Sequence, residues 1–286
     1  MISYICLLAT VFANLSCADD MDNSKFDNMI PYGKQEVSYT YPKGEGAGND
    51  DVINYDRTAA VINGMEPDVV CLQEVDYMTT RSNKVDQLKT LADKTGMNYY
   101  FSKSIAYQGG EYGNGLLFKG TPISTKTYLL PGAELRSAAI AEFENYVVIS
   151  THLALEENNR VESAKQLTDL AKTYNKVVYM AGDFNEDLMN GTFFTELKKE
   201  WEVVSSTENT FPTGQATKRI DFVVTLKTPP TIVVKSNVIY NLDGVNVAIT
   251  SDHYPLYCDF KKPTGLEEYP KAEGDLRIGN YFLTYC

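Results

Sequence analysis

The chain has 286 residues, 43% of them apolar, and a formal net charge of -12. That length suits one large core or two small ones, and the apolar share is ordinary for a globular protein. The acidic excess argues against tight binding of long nucleic acids, which depends on many Lys and Arg contacts to phosphate. It still permits a phosphate-ester substrate, because one bound divalent cation reverses the local field.

Residues 5–13 form an apolar run too short to span a bilayer, followed by Leu15-Ser16-Cys17 and Ala18-Asp19-Asp20. Residues 1–16 therefore resemble a bacterial lipoprotein signal, cut before Cys17, whose thiol would carry lipid. No Lys or Arg precedes the run, and Asn14 stands where such signals usually carry Leu. A plain secretory signal and a buried N-terminal strand are the competing readings. Residues 17–35 read as an acidic tether, and the globular pattern covers 36–262. Of the other cysteines, Cys71 and Cys258 lie in apolar strand-like runs and read as buried thiols, and Cys286 is the last residue.

Val37-Ser38-Tyr39-Thr40-Tyr41 alternates like a strand. Residues 55–65 carry apolar side chains at helical spacing until Pro67, and Val69-Val70-Cys71-Leu72 is a buried-strand run. Residues 88–94 read as a second helix. Strands are expected at 116–118, 127–130, 138–141 and 146–149, a helix at 160–174, a strand at 177–180 and a short helix at 193–199. Strands at 219–224, 231–234 and 254–260 complete the pattern, and residues 263–286 form a tail with no assigned role. Strands outnumber helices, and helices fall between pairs of strands. That order predicts a single α+β domain, two sheets face to face with helices outside.

Both histidines of the chain, His152 and His253, sit in polar segments at strand ends, as do Glu74, Asp183, Asn185, Asp221 and Asp252. A hard cation such as Mg²⁺ or Mn²⁺ prefers carboxylate oxygen and keeps several waters, which suits Glu74 as a ligand and Asp252 as a ligand or a base. Asp183 with Asn185 can position an attacking water and hold a phosphate oxygen. Asp221 beside His253 would favour the protonated imidazole, and His152 can donate to a non-bridging oxygen. Asn114, Arg136 and Arg160 are candidates for binding substrate, against the competing readings of a plain turn and surface ion pairs. Taken singly, each acidic or imidazole group has an ordinary structural explanation, such as an Asx turn at Asp183 or a helix N-cap at Ser251-Asp252. Their joint occurrence in this order does not.

The segments Pro67-Asp68-Val69-Val70-Cys71-Leu72-Gln73-Glu74-Val75, Thr151-His152-Leu153, Gly182-Asp183-Phe184-Asn185, Arg219-Ile220-Asp221 and Ser251-Asp252-His253 resemble the deoxyribonuclease I-like endonuclease/exonuclease/phosphatase superfamily. Tyr112-Gly113-Asn114 and Thr210-Phe211-Pro212 are secondary matches. The resemblance implies a four-layer α/β/β/α sandwich of two mostly antiparallel sheets, with the site at one end. It also implies divalent-metal cleavage of a phosphoester, with the roles just given for Glu74, His152, Asp183, Asn185, Asp221, Asp252 and His253. The chain departs from the pattern at Tyr39-Thr40, where relatives carry an Asn that helps bind the metal or phosphate. Thr40 reaches less far than an amide, and the nearby Asn49 or Asp50 is an alternative donor.

The reading that follows is an exported, metal-dependent phosphoesterase held at the outer membrane or in the periplasm by lipid on Cys17. It is expected to be a monomer. Its substrate is expected to be a small phosphomonoester or phosphodiester, or a lipid headgroup, rather than nucleic acid. A secreted nuclease, and a binding protein whose catalysis is impaired at Thr40, are the alternatives.

Overall fold

The computed structural model describes residues 53–261 and the backbone of two terminal strands. Thr40, Asn49, Asp50, the strand expected at 37–41, the tether and Cys17 lie outside the described residues.

In chain order the elements are β1 (Ile5–Ala9), α1 (Tyr55–Met65), β2 (Val69–Tyr77), α2 (Gln87–Thr95), β3 (Asn98–Tyr107), β4 (Gly110–Phe118), β5 (Ser124–Leu130), β6 (Arg136–Glu142) and β7 (Tyr146–His152). They continue with α3 (Glu157–Lys172), β8 (Val177–Asp183), α4 (Thr192–Leu197), β9 (Trp201–Val203), β10 (Asp221–Leu226), β11 (Val233–Val238), β12 (Leu256–Phe260) and β13 (Leu276–Tyr281). The first two helices start where a side chain can satisfy their free amides. The Asn54 side chain accepts from the Asp56 and Arg57 amides, and Asp86 accepts from Lys89. Both helices stop at a left-handed residue, Glu66 and Gly96.

One sheet runs β5-β6-β7-β8-β10-β9. Against it lie β2-β4-β3 and β1-β13-β12-β11. Within the described residues pairing is antiparallel except for β7–β8 and β1–β13. Three apolar layers order the stack. Val69, Cys71 and Phe118 meet Ala139, Tyr179 and Val223 between the sheets. Leu167, Phe193 and Phe194 of α3 and α4 cover Ile140, Met180 and Phe222 on one outer face. Val61, Leu88 and Leu91 of α1 and α2 cover Val70, Leu72 and Leu117 on the other. The result is the expected α+β architecture, with helices outside two mostly antiparallel sheets.

Three strands were not expected from pattern. β3 runs Asn-Tyr-Tyr-Phe-Ser-Lys-Ser-Ile-Ala-Tyr at a sheet edge, half exposed, and lacks a clean alternation. β9 has only three residues. β13 comes from the tail, antiparallel to β12 with Asp259 opposite Arg277. Ile5–Ala9, inside the run read as an export leader, is a strand parallel to β13. The leader reading and the strand thus fall on the same residues.

Candidate active site

The six-stranded sheet builds most of the site by register alone. His152 at the end of β7 pairs with Asp183 at the end of β8, and Asp183 pairs with Asp221 at the start of β10. One imidazole and two carboxyls thus stand in a row across three neighbouring strands, all buried. Like charges directly opposite one another on a sheet are destabilising. Burial, reinforced by Asp221, pushes the Asp183 carboxyl up to about 7. The glycine before Asp183 has a physical reason. At its φ of 157° a Cβ would lie 1.7 Å from the Thr151 carbonyl oxygen, so no side chain fits where β8 presses on β7.

His253 reaches this row from the turn before β12. Its Nδ1 lies 2.8 Å from Asp221 Oδ2, its backbone amide donates to Ser251 Oγ at 2.9 Å, and its ring packs 4.5 Å from Phe211. The Thr210 hydroxyl donates to the same Asp221 oxygen. Thr213 ties the two loops together through the Ser251 and Asp252 carbonyls, at 2.9 and 2.7 Å. Burial raises the Asp221 carboxyl well above its usual range and drives His253 down to about 4. Both directions favour the neutral form of each group, because burial strips water from the charged one. The expected bias of a neighbouring carboxylate toward imidazolium is outweighed by the loss of water.

Glu74 comes from the other sheet. It sits in a bulge between Leu72 and Val75 with a left-handed φ of 55°, which turns its side chain out of the β2 ladder. Its Oε1 is 3.6 Å from His152 Nδ1, and His152 Nε2 is 3.6 Å from Asp183 Oδ2. Neither is a hydrogen bond at that length, so His152 stands between two carboxyls without being tied to either. Burial pushes His152 well below its usual range, assisted by Arg136 and His253, and the imidazole is neutral. Burial also lifts Glu74 to about 8, opposed by the Arg81 and Arg136 guanidiniums and reinforced by Glu134 and Asp183. Arg136 is itself buried and paired to Glu134 at 2.7 Å.

A family model for the endonuclease/exonuclease/phosphatase family matches residues 34–253. The chain belongs to this family. No curated protein matches the sequence. Among solved structures, an endonuclease/exonuclease/phosphatase from Bacteroides vulgatus superposes with a TM-score of 0.63 at 16% identity, covering 91% of this chain and 99% of that one. A mannosyl-6-phosphatase from Bacteroides thetaiotaomicron gives 0.62 at 16% identity, over 90% and 99%. A humanized D. rerio TDP2 gives 0.55 at 17%, over 91% and 99%. These likenesses show the fold, and the family is one of phosphoesterases and nucleases.

Against the family pattern, the remaining predicted residues fall in different places. Asn185, at a left-handed φ of 51°, gives its amide hydrogen to Asp183 Oδ1 at 2.7 Å and its side-chain nitrogen to the Leu153 carbonyl at 2.8 Å, closing the turn at Asp183. Asn114 is buried and donates to the Ser137 carbonyl at 2.6 Å, bridging β4 to β6. Asp252 is buried beside His253 but is not in the tightest acidic group, which is Asp183, Asp221 and His253 with donor atoms within 4.8 Å of one another.

Arg160 was a candidate for phosphate, with an ion pair as the competing reading. Its guanidinium donates to the Ala154 carbonyl at 3.2 Å, to the Leu155 carbonyl and to Glu186 at 2.8 Å, which is the ion-pair reading, though buried. Glu186 in turn accepts from the Leu188 amide at 2.8 Å. The pair fastens the loop after β7 to the loop after β8. Arg160→Gln should therefore destabilise the fold by about 2 kcal/mol, the scale for charge-assisted hydrogen bonds. Chemical denaturation would measure this as a lower midpoint at unchanged slope.

Sequence reasoning missed Thr210 as a partner of Asp221, Glu134 as the partner of Arg136, and Arg81 beside Glu74. Thr210 opens a quoted motif and was available. Arg81 had no local signal, because it reaches the site only through the folding of the loop after β2.

Proposed function

We propose that the chain is an exported, divalent-metal-dependent phosphoesterase that hydrolyses a small phosphate ester by in-line attack of water. The observation that carries this reading is the convergence of Glu74, His152, Asp183, Asp221 and His253 from both sheets at one end of the sandwich.

The residues fit a hard cation. Asp221 Oδ1 is buried without a hydrogen-bond partner, and several carboxyls are held together against their mutual repulsion. The tight group of Asp183, Asp221 and His253 is largely consumed by its own bonds to Asn185, Thr210 and one another. Glu74 carries no hydrogen bond among the described residues, so it is the better anchor for Mg²⁺ or Mn²⁺ with retained waters. When bound, the cation supplies positive charge to the phosphate oxygens.

The chain's own groups do the rest. Asp183 Oδ1 is held by Asn185, and Oδ2 is left to orient a water and take its proton as the oxygen attacks phosphorus and the ester oxygen departs. With a proton on Asp221, His253 presents Nε2–H to a phosphoryl oxygen. As negative charge arrives, the proton can pass from Asp221 to Nδ1 with no change in the proton count. Arg136, within electrostatic reach of Glu74, His152 and Asp183, adds the fixed positive charge that an acidic protein needs to hold an anion.

Export and a lipid anchor on Cys17 are supported by the pattern of residues 5–20, and the acidic surface favours a small ester or lipid headgroup over nucleic acid. A panel with Mg²⁺, Mn²⁺ and Ca²⁺ over plasmid DNA, RNA, sphingomyelin, inositol phosphates and nitrophenyl esters tests the reading. Turnover confined to small or lipid esters with Mg²⁺ or Mn²⁺ is expected. Preferential plasmid cleavage would replace it by a nuclease. Absence of turnover, unrescued by Thr40→Asn, would replace it by a binding protein.

A further inference from the structure

Next to Glu74 the structure holds an aromatic wall that the proposed chemistry does not use. The loop after β2 folds back so that Arg81 forks onto Asp76, with Nε to Oδ2 at 2.7 Å and Nη2 to Oδ1 at 2.9 Å. Asp76 is buried, and the Arg81 side chain keeps a quarter of its exposure. The guanidinium carbon stands 4.7 Å from the Tyr107 ring centre and 5.3 Å from that of Tyr112, whose rings are 5.9 Å apart and tilted by 50°. The hairpin below is equally fixed. The Arg81 amide donates to Gln108 Oε1 at 3.0 Å, and a Cβ on Gly113 would lie 2.0 Å from the Ser102 carbonyl oxygen.

Tyr112 is opposite Asp76 in the β2–β4 ladder, two residues from the Glu74 bulge, and lies within electrostatic reach of both Glu74 and Arg136. Its hydroxyl has no hydrogen-bond partner among the described residues, yet it is not one of the polar atoms sealed from solvent. A rigid phenol, held by a guanidinium and left with a free donor at the edge of a phosphate site, is poised for a ligand. Arg81 lies across both rings, and the side of the pair that it covers is closed to a stacked planar base. An oxygen-rich group, by contrast, can accept from the hydroxyl.

We propose that Tyr112 is a substrate-contacting residue that donates its hydroxyl to the leaving group, and that this selects phosphorylated polyols such as sugar phosphates. Arg81 and Asp76 are its positioning residues. The inference rests on the phosphoesterase reading and adds the substrate class to it.

The test is Tyr112→Phe in the full chain, which keeps the ring and its stack. On a hexose 6-phosphate the variant should lose about 10-fold in kcat/KM, mostly through KM, the scale of one hydrogen bond. On 4-nitrophenyl phosphate, whose leaving group has no hydroxyl, the loss should stay under about 2-fold. Equal losses on both esters, or none on either, overturn the proposal. If wild type hydrolyses neither ester, the phosphoesterase reading has failed on its own. Calorimetry with hexose 6-phosphate against inorganic phosphate then decides the contact. A preference for the sugar phosphate that Tyr112→Phe abolishes supports it, and equal affinities, or no binding of either, overturn it.

Discussion

Asp183→Ala should lower turnover by about 10² to 10⁴-fold, the range for a positioned acid–base group, while leaving the fold intact. The size follows from the place of Asp183 in the row. It is the central member, opposite His152 on one side and Asp221 on the other, and its Oδ2 is the oxygen left for water once Asn185 has taken Oδ1. The substitution also removes one of two facing buried carboxyls, so stability should hold or rise. Steady-state rates with a circular dichroism melt separate the two effects. Near-wild-type turnover in a well-folded variant would remove the mechanism.

The second large effect is linkage between protons and cation. Without a cation, burial places Glu74 at about 8 and Asp183 at about 7, above their ordinary values of 4.5 and 3.8. Raised carboxyls mean that the folded chain holds protons the unfolded chain has lost, so the cation-free protein should lose stability as pH climbs from about 4 through about 8. A divalent cation takes the place of those protons. Its affinity should therefore rise between pH 6 and 8 with proton release, and Mg²⁺ should raise Tm more at pH 8 than at pH 5.5. Glu74→Gln should weaken Mg²⁺ binding by about 10- to 100-fold or more, because even outer partners of a metal ligand cost that much. Calorimetry in two buffers of different ionisation enthalpy measures both affinity and protons. A pH-independent affinity, or an unaffected Glu74→Gln, would show that the cation is held elsewhere.

Much of this was legible before any coordinates. Helical spacing and Pro67 located α1, and apolar runs located β2, β7 and β8, because buried central strands carry continuous β-branched sequence. The candidate site groups could be read because each lies at or beside the end of such a run. The edge strand β3 could not, since half its residues face water and its pattern is diluted. Arg160 was left between two readings because sequence shows a charge but not what it spends that charge on. Here two carbonyls and Glu186 claim it. The electrostatics of His253 were hard to read for a related reason. A neighbouring carboxylate is visible in the sequence, whereas the depth of burial that overrides it exists only in the folded chain.

The placement of Glu74 on one sheet and of His152, Asp183 and Asp221 on the other has a mechanical consequence. Sliding of one leaf over its mate by even an ångström would pull the anchor away from the proton-handling groups, and small misplacements in reacting geometry are costly. The apolar contacts of Cys71, Phe118, Tyr179 and Val223 are therefore more than filler. They act as alignment pins for the proposed chemistry, and wear in them would show as lost rate before lost folding.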